Sequence, residues 1–105
     1  MSTVIQVPIQ IDKIAAYCRR WHIKEFSLFG SVLGDYYRDD SDVDVLVTFA
    51  PNETYTLLQL TTMQDELEVL FGRPVDLLDK QAVLESPNYI RRRAILDSAQ
   101  VIYLA

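Results

Sequence analysis

Leu28-Phe29-Gly30-Ser31, then ten intervening residues, then Asp42-Val43-Asp44-Val45-Leu46-Val47: this stretch decides the fold. Its first half is an apolar run that stops at a glycine. Its second half alternates. Side chains along a strand point to opposite faces in turn. Val43, Val45 and Val47 therefore share one face, and Asp42 and Asp44 the other, which predicts a strand over 42–49. Residues 25–29 predict the strand before it. A short helix is expected to open at Ser31 and stop near Gly34, and 36–41 reads as a polar loop. The ten residues let the chain turn back, so that Gly30-Ser31 and the aspartate pair can meet.

The pattern extends outward on both sides. Ile11, Ile14, Ala15 and Cys18 recur at helical spacing, which predicts a helix over about 9–21. Pro51-Asn52 signals a turn. The longest helix is expected over 54–71, with Leu57, Leu60, Leu67 and Phe71 as its apolar stripe and Asp65, Glu66 and Glu68 toward water. Gly72 stands where a helix end favours a left-handed residue. A third strand is expected at 74–78, with Val75 and Leu77 opposite Asp76. Ser86-Pro87 looks like an N-cap followed by proline at the first helical position of a last helix reaching about 98. Residues 100–104 suit a closing strand. The order is α-β-α-β-α-β-α-β, and it predicts an α/β (α+β) domain: a small mixed sheet flanked by helices. With 105 residues, 1–105 is read as one domain with one modest core.

Composition narrows the function. Half of the residues are hydrophobic, enough to drive a packed globule. No apolar run is long enough to span a bilayer, and the first residues lack the pattern of a secretory signal. Cys18 is the single cysteine, which fits a reducing cytoplasm. The net charge of −5 argues against direct nucleic-acid binding. Asp35, Asp39, Asp40, Asp42 and Asp44 are crowded together, with only Arg38 opposing them. Such a cluster either faces water or binds a cation.

Each part of the central stretch has a chemical use. Gly30 has no side chain, so backbone N–H groups there can approach a phosphate. Ser31 adds a hydroxyl donor, and a helix opening at Ser31 favours an anion at its N-terminus. Asp42 and Asp44 point the same way. Two carboxylates with phosphate oxygens and water suit magnesium, a hard octahedral cation. Asp76 repeats their arrangement on another strand. If those strands are neighbours, three carboxylates converge and two metals can be held. Asp79 has the wrong parity relative to Asp76 and is expected past the strand end. The chemistry is then in-line displacement at an α-phosphorus, with pyrophosphate leaving and the third carboxylate taking the acceptor proton. The plain alternative is a simple strand-to-helix turn beside two solvated aspartates. Average residue frequencies give the four fixed residues by chance in roughly one chain per thousand of this length, so the spacing is informative.

These residues, Gly30-Ser31-x10-Asp42-x-Asp44, resemble the signature of the DNA polymerase β-type nucleotidyltransferase superfamily. The short length and the ending Arg91-Arg92-Arg93-Ala94-Ile95 through Val101-Ile102-Tyr103 resemble the minimal nucleotidyltransferases. The resemblance implies the polymerase β-type fold, ATP as substrate and two magnesium ions. It assigns Gly30 and Ser31 to the phosphates, and Asp42, Asp44 and Asp76 to metal and catalysis. It further implies an antitoxin that transfers AMP to a tyrosine of a helical HEPN-domain ribonuclease toxin and so silences it. Many relatives read Ala-Arg-Gly soon after the Gly-Ser pair. Here Val32 is followed by Leu33-Gly34-Asp35, and Arg38 is the cation that can serve the nucleotide instead.

Two other functions fit the residues less fully. One is a non-catalytic antitoxin acting by binding and occlusion, suggested by the changed loop. The other is a small-molecule nucleotidyltransferase of the aminoglycoside-modifying kind, which needs an acceptor pocket from elsewhere. Of the remaining polar residues, Arg91, Arg92 and Arg93 point in three directions from one helix. One of them can reach a triphosphate or an acidic partner surface, while a solvated helix face is the plain alternative. Tyr36 and Tyr37 can stack on a base or pack the loop, and His22 suits a surface or capping role.

Overall fold

The structure, a computed structural model, describes residues 10–29 and 42–105. Gly30, Ser31, Arg38, the expected short helix at Ser31 and the expected loop at 36–41 lie outside the described residues. Helix α1 is Ile11–Arg20 and strand β1 is Ile23–Phe29. Strand β2 is Val43–Phe49, helix α2 is Leu57–Phe71 and strand β3 is Val75–Asp79. Helix α3 is Lys80–Leu84, helix α4 is Tyr89–Ser98 and strand β4 is Gln100–Leu104. Among the described residues the strands form one sheet in the order β3-β2-β1-β4. The β2–β3 pairing is parallel, and the β1–β2 and β1–β4 pairings are antiparallel. The sheet is mixed, as the sequence predicts.

Strand parity gives the sheet two different faces. Phe26, Leu28, Val43, Val45, Val47 and Val75 point into the main core with Ile14, Tyr17 and Cys18 of α1 and Met63 and Leu67 of α2. The opposite face carries a smaller apolar cluster: Phe29 and Leu46 from the strands, Val83 from α3 and Ile95 from α4. Helices therefore lie against both faces. The Tyr17 hydroxyl donates to the Met63 carbonyl at 3.2 Å, and Trp21 Nε1 donates to Glu66 at 2.8 Å, which ties α1 to α2.

The elements differ from the sequence expectation at their ends, for local reasons. Helix α2 begins at Leu57 because Thr56 caps it. The Thr56 hydroxyl accepts from Gln59 N–H at 3.1 Å, and the Gln59 side chain accepts from Thr56 N–H at 2.8 Å, a reciprocal capping box. Leu57 is consequently in the first turn and 81% exposed, so Met63 and Leu67 form the buried stripe that Leu57 was expected to join. In α1, Tyr17 is buried and Ile11 is half exposed. Helix α4 is capped by Asn88, whose side chain accepts from Arg91 N–H at 3.1 Å. Ser86 sits before it, accepting from Asn88 N–H at 3.3 Å. Gly72 ends α2 at φ 72°, in the left-handed conformation expected of it. No described helix is long and apolar enough to cross a membrane.

Candidate active site

The site grows from the start of β2. Val43 and Val45 are fully buried on the main-core face, which turns Asp44 to the other face. There Asp44 stands opposite Phe29, the last residue of β1. Phe29 and Leu46 anchor the smaller apolar cluster on that face, so Asp44 lies at the edge of a packed surface and is half-buried. Asp42 precedes the strand and is exposed.

Strand β3 brings the third carboxylate. Its parallel register sets Val43 beside Val75 and Asp44 beside Asp76. Neighbouring strands are about 4.8 Å apart, so these two aspartates are separated by one interstrand gap and share a face. Two bonds hold the register where it matters. Val43 N–H donates to the Pro74 carbonyl at 2.9 Å. Val75 N–H donates to the Glu68 carboxylate at 3.0 Å, so α2 pins the start of β3 from below. Glu68, expected only to face water, thus holds the backbone immediately before Asp76. Its signal in the sequence was faint: a carboxylate one helical turn before the Gly72 cap.

The electrostatics follow from this packing. Burial, then the negative charge of Asp76, then that of Asp42, pushes the Asp44 carboxyl above its ordinary value. Three acids feeling one another at the mouth of a sheet make a place that favours a cation. Among the described residues, no group of three or more histidine, cysteine, aspartate or glutamate side chains is drawn together tightly enough to hold a metal by itself. Magnesium ordinarily takes one or two carboxylates and completes its shell with phosphate oxygens and water. An in-register pair with a third acid nearby is adequate for that.

Asp79 is the last residue of β3 rather than lying beyond it. Its side chain accepts from Gln81 N–H at 3.0 Å and caps α3, a short helix absent from the sequence expectation. The signal was present, since an aspartate before Lys80-Gln81-Ala82 is a helix-start pattern. Gly30 and Ser31 follow Phe29, the strand partner of Asp44, in the sequence and lie outside the described residues.

A profile of the nucleotidyltransferase domain family matches residues 11–102. The chain belongs to that family. This nucleotidyltransferase domain is 38% identical over 64 residues to the protein adenylyltransferase MntA of Thermococcus cleftensis. That alignment covers 61% of this chain and 63% of the relative, so the match spans a little under two thirds of the relative's length. Among solved structures, it superposes on a chain of a toxin–antitoxin complex with AMP-PNP at TM-score 0.70 and 18% identity, covering 92% of this chain and 75% of that one. It also superposes, at TM-score 0.62 and 20% identity, on a chain of the complex between a tri-AMPylated Shewanella oneidensis HEPN toxin and its MNT antitoxin. There the coverage is 90% of this chain and 70% of the other. At these identities the structural likeness shows a shared fold.

Proposed function

We propose that this domain is an antitoxin protein adenylyltransferase that moves AMP from ATP to a tyrosine of a cognate HEPN ribonuclease toxin and thereby neutralises it. The observation that carries the reading is the register of Asp44 with Asp76, with Asp42 two residues before Asp44 and near enough for its charge to raise the Asp44 carboxyl. The nature of its relatives supports the rest: a protein adenylyltransferase, and toxin–antitoxin complexes holding AMP-PNP or an AMPylated toxin. A partner and a substrate of this kind belong to the cytoplasm.

The donor chemistry fits magnesium, since all three candidate ligands are hard carboxylate oxygens at a site of accumulated negative charge. Asp42, Asp44 and Asp76 would hold it. Bound there, magnesium supplies the positive charge that displacement at phosphorus requires. The chain's own groups do the remainder. Gly30 N–H and the Ser31 hydroxyl donate to phosphate oxygens, and Arg38 adds a cation to the triphosphate. Asp76, exposed on β3, accepts the proton of the acceptor hydroxyl. The acceptor oxygen bonds to the α-phosphorus, the bond to the β-phosphate bridge breaks, and pyrophosphate leaves with its electrons.

Pure occlusion of the toxin is the competing function, because Val32-Leu33-Gly34-Asp35 lacks the usual loop arginine. The double variant Asp42→Ala with Asp44→Ala separates the two. Assayed against the purified toxin's ribonuclease activity, it should bind the toxin as the wild type does and fail to silence it. Silencing preserved at equal binding means that occlusion is the mechanism.

A further inference from the structure

The backbone of β3 alternates in a way that leaves one edge open. Val43 N–H donates to the Pro74 carbonyl, and successive backbone groups of a strand turn to opposite sides. Asp76 and Leu78 therefore bond toward β2, while Val75, Leu77 and Asp79 turn their N–H groups away from it. The Val75 N–H shows the outward direction, since it donates to Glu68 of α2. Among the described residues, no strand pairs with that side of β3. Leu77 thus offers an N–H and a C=O at a sheet edge, the arrangement to which an extended segment adds as a further strand.

The two faces of that edge differ. Asp76 shares a face with Leu78, on the side of the smaller cluster, and is exposed. Leu77 faces α2, where an open groove of about 270 Å³ is lined by Phe49, Leu57, Leu60, Thr61, Leu77 and Asp79. Pockets for whole small-molecule ligands run to roughly 300–1,000 Å³, so this groove suits one apolar side chain. Asp79 is the one ionisable residue of its lining. The adjoining Lys80 is engaged elsewhere, with Glu25 at 2.7 Å.

Parity then specifies an occupant. In an antiparallel pairing, the residue opposite Leu77 exchanges two backbone hydrogen bonds with it and points its side chain into the groove. The next residue stands opposite Asp76 in a non-hydrogen-bonded pair, with Cα atoms about 4.5 Å apart and side chains at their closest. Its side chain lies on the face of Asp76. The residue two positions before the apolar one stands opposite Asp79, on the groove side.

Resting on the adenylyltransferase reading, we propose that the acceptor segment of the protein partner docks as an antiparallel strand on the outer edge of β3, its hydroxyl residue opposite Asp76, the apolar residue before it in the groove, and a lysine or arginine two positions earlier still against Asp79. Backbone hydrogen bonds hold the segment, and the groove sets its register. Charge complementarity chooses this occupant over a second copy. Two copies would crowd Asp76 and Asp79 of two chains, each of net charge −5, along one edge, whereas a cationic segment is drawn to them.

The test uses the full chain, the neighbour-encoded HEPN partner, ATP and magnesium, with Thr61→Trp and Asp79→Asn as variants. Thr61 is exposed on α2, so tryptophan there fills the groove, and asparagine at 79 keeps a cap for α3 while removing the charge. Circular dichroism melting checks folding. Thr61→Trp should raise KM for the partner about tenfold or more, and Asp79→Asn about two- to fivefold, the scale of one exposed ion pair. KM for ATP should stay within twofold in both. An unchanged partner KM in folded Thr61→Trp overturns the proposal, and so does a rise in KM for ATP in its place, because the groove then serves the nucleotide. Hydrogen exchange at the Leu77 amide, followed by NMR, reads the docking directly. It should be fast in the isolated chain and slow at least tenfold with the partner added. An amide already protected in the isolated chain overturns the proposal, because the edge is then paired without the partner. An amide that exchanges equally fast with the partner present also overturns it. If wild-type protein transfers no AMP at all, the adenylyltransferase reading fails separately, and the Leu77 amide still decides the docking.

Discussion

Asp44 sits between two fully enclosed valines, beside Asp76 in the next strand and two residues from Asp42. Burial and its acidic neighbours make the folded protein hold the Asp44 proton more tightly than the unfolded chain does. The folded state therefore binds more protons between the ordinary carboxylate value and the raised one, and stability falls as pH rises through that window. Above it the penalty is complete; below about pH 4 it is gone. Without divalent cations, Asp44→Asn should melt about 2–5 °C higher than wild type at pH 7. The advantage should vanish near pH 4. The same variant should lose AMP transfer by about a hundredfold or more, the scale of a lost electrostatic stabiliser. A melting gain that persists unchanged in acid would show that the stabilisation has another origin. Parity made the shared face of Asp44 and Asp76 legible in the sequence, because the alternation of apolar residues fixes which way each carboxylate turns, whereas Asp42, expected within the strand, precedes it. The capping role of Asp79 was hidden, since capping depends on a helix of five residues too short to leave a periodic signal.

Strand β3 is the element on which the third carboxylate depends. Among the described residues it is an edge strand of the sheet, paired with β2, and its first N–H is held by Glu68. Glu68→Ala leaves that partly buried donor without its partner and should cost about 1–3 kcal/mol in urea denaturation. Activity should fall further than stability explains, because Asp76 is the next residue. Equal activity at saturating substrates would remove Glu68 from the positioning of the site. The long elements were readable: seven-residue β1 and β2, fifteen-residue α2 and the Gly72 cap all declare themselves by periodicity or backbone demand. The starts of α2 and α4 were not. Thr54 and Thr56, or Ser86 and Asn88, are equally able to cap by composition, and the tertiary packing chooses between them.

For the whole molecule, the sheet separates two tasks. One face is covered by α1 and α2 over the main core, and the other carries Asp44 and Asp76 beside the smaller cluster with α3 and α4. That topology follows from the alternating strands, but the strand order β3-β2-β1-β4, which puts Asp76 next to Asp44, comes from long-range pairing that local sequence does not encode. ATP with magnesium at one hundred times Kd should stabilise the domain by about 2.7 kcal/mol. Neither ATP with EDTA nor the Asp42→Ala, Asp44→Ala variant should show that gain in a thermal melt. The most direct measurement is the intact mass of the HEPN partner after incubation with this chain, ATP and magnesium. Whole AMP units should be added by the wild type and none by the double aspartate variant. A partner of unchanged mass, with both proteins folded and bound to each other, would contradict the account.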